Sequence, residues 1–286
     1  MDNNNLWIFL HPPRTGGNTI IETLLKKFPR EEIFLPSVSR YQKSTKNIDS
    51  SKIRFILGHA AYYGIHKMVP NKEPKYFVIL RDPVDRIISH YNAKMQNEKN
   101  KISFDEWYKN QIKNEMVHFL DLKYKGSESS RINIPKIFSP LIRIIPFANK
   151  SVYEGYKNSE LSISLNKKIS YNKIYSLQTL LFKILGLTQS SNKNNYKKFE
   201  NAKKLLDLCW FVGITEKSNQ DFRFLLKAIG VQNPKWMDDG VSKKIIKIDN
   251  KLRKKIYEEN PLDVELYNYA LNLRRKFYLN QGIKSS

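Results

Sequence analysis

A single cysteine, Cys209, excludes an intramolecular disulfide framework and any structural zinc site built on thiolates. Acidic residues are scarce too: 27 Asp and Glu stand against 50 Lys and Arg, a formal net charge of +23. No window of 18 uncharged apolar residues occurs, so no membrane span is expected. The N-terminus MDNNNLWIFLHPPRTGG lacks a basic stretch leading into a long apolar one, as a secretory signal would need. A soluble cytoplasmic protein is therefore expected. With 11 Gly and 12 Pro, 41% hydrophobic residues and 12% aromatics, the composition excludes collagen-like and disordered classes. A chain of this size hides roughly 75% of its unfolded surface on folding, enough for a substantial core. The basic excess points to anionic partners: nucleic acid, a membrane surface, a phosphorylated cofactor or an acidic polymer.

Four short apolar runs stand out: Leu6 to Leu10, Ile53 to Leu57, Tyr76 to Leu80 and Leu208 to Val212. Rich in β-branched and aromatic residues and closed by polar or Gly-containing turns, they read as strands buried on both faces of a parallel sheet. Between them, Asn18 to Phe28 carries one apolar helical stripe, and Pro83 suits the first turn of a helix continued by Val84, Ile87, Ile88 and Tyr91. After the fourth run, Thr215 is placed to cap a helix that stops at Gly230. This succession gives an α/β fold: a P-loop-like, doubly wound parallel sheet flanked by helices, one domain over residues 1–280 with a frayed tail at 281–286. Residues of about 100–205 read as an inserted region. It begins with a helix from Phe104 to Leu122, includes a packed loop or lid at Ile134 to Ala148, and has a mobile stretch at Ser190 to Lys198.

Open parallel sheets bind ligands beyond the carboxyl ends of their strands. The first end reads His11-Pro12-Pro13-Arg14-Thr15-Gly16-Gly17-Asn18-Thr19. A glycine pair before a helix lets backbone approach an anion, the helix N-terminus attracts it, and Thr15, Thr19 and Arg14 add donors. It is not a Walker A loop, since the outer Gly and the Gly-Lys pair are missing. An ordinary tight turn is the plainer reading. The second end is Gly58-His59, where an imidazole at a cleft mouth can serve as a general base or be a structural histidine. His66 and His118 read as structural, and His90 as a helix-surface residue. At the third end Arg81 leaves the strand and Ser89 returns about two helical turns later, so the pair can hold a second anion. Pairing of Asp82 or Asp85 with Arg86 is the structural alternative.

These three segments resemble the signature regions of sulfotransferases that use 3′-phosphoadenosine 5′-phosphosulfate (PAPS), especially the carbohydrate group typified by heparan sulfate 2-O- and 6-O-sulfotransferases and their bacterial relatives. Pro13 to Thr19 resembles P-K-T-G-G-T-[ST], Gly58 and His59 match the family's Gly-His pair, and Arg81 to Ser89 matches R-D-P-x-x-R-x-x-S. Phe211 to Glu216 and Asn260 to Tyr267 are similar to further family stretches, so the likeness runs from residue 7 to about 270. It implies that Arg14, Thr15, Gly16, Gly17, Asn18 and Thr19 enclose the 5′-phosphosulfate, that Arg81 and Ser89 hold the 3′-phosphate, and that His59 is the base. Its donor would be PAPS, its product adenosine 3′,5′-bisphosphate, and its acceptor a hydroxyl of a saccharide; no metal and no specific nucleic acid would be needed. Two positions depart from the pattern: Arg14 stands where the family usually has Lys, and Asn18 where it usually has Thr. Arginine stays protonated, so Arg14 can stabilise a leaving oxygen but cannot act as an acid.

From Asp121 to Lys204 there are 16 Lys and Arg and 5 acidic residues, an excess of 16 − 5 = +11 that would attract an acidic glycan. Asn260 to Tyr267 reads as a structural helix start. Trp7, Trp107, Trp210 and Trp236 read as core or cleft wall, with Trp107 or Trp236 able to stack on a sugar. A P-loop nucleotide or small-molecule kinase, and a non-catalytic RNA- or glycan-binding protein on the same fold, are the competing readings.

Overall fold

The computed structural model describes residues 4–36, 49–98, 101–125, 192–232, 234 and 245–283. Five strands form one sheet: β1 (Asn5–Leu10), β2 (Ile33–Phe34), β3 (Phe55–Gly58), β4 (Glu73–Leu80) and β5 (Phe211–Ile214). Their order is β2-β3-β1-β4-β5 and every pair is parallel. From β1 the chain crosses to the β2 edge, returns through β3 beside β1, and then adds β4 and β5 on the other side, so the two halves of the sheet meet at β1 and a crevice is expected at its carboxyl end. Side chains alternate between two apolar layers because successive residues of a strand face opposite ways. Leu6, Ile8, Leu10, Val78, Leu80 and Ile214 enter one core. Trp7, Phe9, Leu57, Phe77, Ile79 and Phe211 enter the other.

Helices α1 (Gly17–Lys27), through Ile20 and Leu24, and α6 (Ser218–Ile229), through Phe222, Leu225 and Leu226, cover the second face. On the first face lie α4 (Glu115–Lys125), with Met116 and Leu120, and α5 (Asn192–Asp207), with Phe199 and Leu205. Helix α8 (Pro261–Asn280) supplies Leu262 and Leu266 to the first core and Tyr278 to the second, and so runs past β5 from one face to the other. Arg274 on α8 and Asp221 on α6 form a buried pair at 2.8 Å, and Asp221 also accepts the Ile214 N–H at 2.7 Å, which fixes the end of β5. A third cluster joins α2 (Pro83–Asn97), α3 (Phe104–Lys109) and α7 (Asn250–Glu259) around Trp107, Tyr91 and Ile256.

Several elements differ from the sequence reading. The strand of the fourth apolar run, β5, starts at Phe211, not Leu208, which is 46% exposed at the turn after α5. Thr215 does not cap a helix; it begins a short 3₁₀ turn and α6 starts at Ser218. The single helix expected over Phe104 to Leu122 is two, because α4 and α8 cap each other. Asp263 accepts the Met116 and Val117 N–H groups at 3.1 and 2.9 Å, while Asn114, at φ 52°, accepts those of Leu262 and Asp263 at 2.9 and 3.1 Å. The stretch expected to be mobile is helical from Asn192, since Phe199 and Ala202 bury against α4. The Ile134 to Ala148 segment and Trp236 lie outside the described residues. Trp107 is 2% exposed beneath α2, which removes it as a sugar platform. Among the described residues no helix is long and apolar enough to cross a membrane.

Candidate active site

The sheet register sets the site. Leu10 of β1 lies opposite Gly58 of β3, so the next residues, His11 and His59, leave the sheet side by side. Their rings stack with centroids 4.2 Å apart, and His59 Nδ1 lies 2.8 Å from the His11 carbonyl oxygen. A carbonyl can only accept, so Nδ1 carries the proton and the basic lone pair sits on Nε2. Burial, and then the Lys123 charge, push His59 down to about 4 against the support of that carbonyl, so its imidazole is neutral at pH 7.

His11 is held between His59 and Phe9, whose ring stacks on its other side at 4.8 Å. Burial, followed by the charges of His59, Lys123 and Arg14, holds it well below the usual imidazole range. A Cβ built on Gly17 would meet His11 Cδ2 and Nε2 at 2.3 Å. The second glycine of the loop is therefore required by the imidazole packed beneath α1, a demand the sequence did not reveal.

The loop itself turns through two left-handed residues, Arg14 at φ 68° and Gly16 at φ 79°. For a non-glycine residue that conformation costs roughly 1–2 kcal/mol, and such turns aim successive N–H groups into an anion-binding nest at a helix N-terminus. Asn18 is exposed on the first turn of α1, whereas Thr15 and Thr19 are each 1% exposed. The Thr15 hydroxyl, expected to face an anion, donates to the Pro12 carbonyl at 2.9 Å and braces the turn from inside.

Arg14 joins this loop to the third strand end. Its Nη2 and Nε donate to Ser89 Oγ at 3.0 and 3.2 Å, and Arg81 Nη1 donates to the Arg14 carbonyl at 3.2 Å. Ser89 is thus engaged by Arg14, where the sequence paired it with Arg81. The two guanidiniums oppose each other: burial, then the Arg81 charge, lowers the affinity of Arg14 for its proton. Glu216 lies 3.9 Å from Arg81 Nε, which is buried and makes no hydrogen bond among the described residues. Thr215, the residue after β5, places its hydroxyl 2.9 Å from both the Thr15 and Leu80 carbonyls, so it ties the loop to the end of β4.

Beneath the site, α2 is anchored at its first turn. Asp82 caps it through the Val84 and Asp85 N–H groups at 3.0 and 3.1 Å. Asp82 and Asp85 pair with Arg253, at 3.4 and 3.1 Å, and not with Arg86. Arg86 is fully buried and pairs with Glu115 at 2.9 Å and with Asp263 at 4.0 Å. His90 is half-buried against Trp107, with centroids 5.5 Å apart, which corrects its reading as a surface residue. His66 bonds the Tyr76 hydroxyl at 2.8 Å, and His118 meets Lys198 at 3.2 Å.

Two contributors escaped the sequence reading. Glu216 sits in the Phe211 to Glu216 stretch already singled out, yet nothing there revealed its approach to Arg81. Lys123, on α4, is 6% exposed, its ammonium donates to the His59 carbonyl, and burial pushes it down to about 7. No motif surrounds it.

A protein-family profile described as "Sulfotransferase family" matches residues 16–270. A protein-tyrosine sulfotransferase of Arabidopsis thaliana is 23% identical over 267 residues, an overlap covering 80% of this chain and 50% of the relative. The chain therefore spans about half the length of the curated relative it matches.

Proposed function

Because the chain belongs to the sulfotransferase family, we propose that it moves a sulfonate group from PAPS to a hydroxyl of a saccharide. The observation that carries this reading is the joining of the strand ends into one basic cluster: Arg14 bridges to Ser89, Arg81 reaches the Arg14 carbonyl, and His59 Nδ1 donates to the carbonyl of His11 at the head of the same loop. Two half-buried guanidiniums that disfavour each other, with a buried Arg81 Nε that finds no hydrogen bond among the described residues, fit phosphate groups that would relieve both costs. The donor supplies an electrophilic sulfur with a phosphate as leaving group.

Residues 14–19 hold the phosphosulfate end, chiefly through the loop N–H groups and the Arg14 guanidinium. Arg81 and Ser89 hold the 3′-phosphate. Arg14 stabilises charge on the departing oxygen. His59 takes the acceptor's proton on Nε2 while its Nδ1–H stays on the His11 carbonyl, which keeps the ring oriented as it becomes charged. A phosphate charge beside it favours that imidazolium.

A second acceptor class, the phenolic hydroxyl of tyrosine in a polypeptide, is favoured by the name of the Arabidopsis relative. The same bond-making serves either acceptor. Radiolabelled PAPS offered with a panel of desulfated glycans and tyrosine peptides tests both. Label on a glycan, lost in His59→Ala, is the expected result; label confined to peptides would replace the saccharide, and label on neither would remove the transferase reading.

A further inference from the structure

The chemistry just assigned leaves Lys123 without a task. Its ammonium donates to the carbonyl of His59, and its own carbonyl accepts the Tyr63 N–H at 2.9 Å. Helix α4 thus holds the loop after β3 at two points, one of them the backbone of the candidate base. The lysine lies with its ammonium 4.9 Å from the Phe119 ring centroid, on its own helix. A methionine would fill a similar space without desolvating a charge, so what lysine adds is a donor and a positive field. The donor fixes the His59 peptide and hence the direction in which its side chain leaves the chain. The field acts on both stacked imidazoles.

We propose that Lys123 is a positioning residue for His59: its buried ammonium, seated on the His59 carbonyl, keeps the imidazole in the neutral Nδ1–H form that proton abstraction requires. Proton abstraction by His59 rests on the sulfotransferase reading; the hold of Lys123 on His59 does not. His59 faces His11 and Lys123, and Arg14 adds to the field at His11. Farther along α4, Asp121 accepts from Asn201 at 2.7 Å and His118 meets Lys198, both directed at α5.

Nitrogen-15 spectra of labelled histidines in the full chain read this directly, with His59→Gln assigning the signal among the 5 histidines. The unmodified chain should show the Nδ1–H tautomer and no protonation of His59 above about pH 5.5. Removing a neighbouring positive charge raises an imidazole's proton affinity, so Lys123→Met should move the His59 midpoint upward by about half a pH unit or more and mix its tautomers. Lys123→Gln keeps a donor without the charge and should raise the midpoint while preserving the tautomer. His59 spectra in Lys123→Gln and Lys123→Met that match the unmodified chain in both respects would overturn the proposal. Failure of the unmodified chain to bind adenosine 3′,5′-bisphosphate would instead undo the functional reading and leave the His59 spectra to decide this one.

Discussion

At the scale of single residues, the proposed chemistry divides the work between one neutral imidazole and two arginines. His59→Ala removes the proton acceptor but none of the groups assigned to phosphate, so turnover should fall about 100-fold or more while calorimetry finds adenosine 3′,5′-bisphosphate binding near normal. Arg81→Ala should weaken that binding by about 2–3 kcal/mol, and an unchanged affinity would place the 3′-phosphate elsewhere. For Arg14 the geometry adds a direction. Its guanidinium reaches Ser89 with two nitrogens, a fork that an ammonium cannot reproduce. Arg14→Lys should therefore lower kcat/KM, by about tenfold, and a faster enzyme would mean that the fork is a burden. That the glycine loop, His59 and Arg81 stand at strand ends was legible in the sequence, because each lies just after an apolar run. Lys123 and Glu216 were not, since both act through contacts made across the fold by residues whose own surroundings are ordinary charged helix or turn.

At the scale of elements, strands and long amphipathic helices were legible because their apolar periodicity is local, whereas their ends are set by partners far along the chain. The break between α3 and α4 follows from Asn114 and Asp263 capping each other's helices, and the late start of α6 from Thr215 being drawn to the Thr15 and Leu80 carbonyls. Two loop residues carry consequences for stability. Gly17→Ala forces a methyl against His11 and should cost about 1–3 kcal/mol in urea unfolding. Thr215→Val deletes the hydroxyl that ties the loop to β4 and should cost about 1 kcal/mol. A neutral Gly17→Ala would mean that His11 is free to withdraw.

At the scale of the whole molecule, burial of imidazoles makes stability depend on pH. His59, His90 and His118 are each pushed down to about 4, and His11 lies well below its usual range, all mainly by burial. The folded chain binds these protons more weakly than the unfolded one, so their contribution is complete above about pH 6.5 and is lost as pH falls toward 4. Asp263, raised to about 6 by burial, acts in the opposite sense, favouring the fold at low pH and losing that support as pH rises through 6. Histidines outnumber it, so unfolding free energy should be lower at pH 5 than at pH 7.5. The excess of 50 − 27 = +23 charges gives the molecule a general attraction for anions, but attraction alone does not distinguish one nucleotide from another. The two phosphate sites proposed at neighbouring strand tips would. Thermal unfolding in the presence of adenosine 3′,5′-bisphosphate or of ATP separates the two, because a ligand that binds only the folded form stabilises it by RT ln(1 + [L]/Kd). At a hundredfold excess over Kd the bisphosphate should raise Tm by roughly 5 °C or more, with ATP far behind; equal shifts from both, or none from either, would contradict the site.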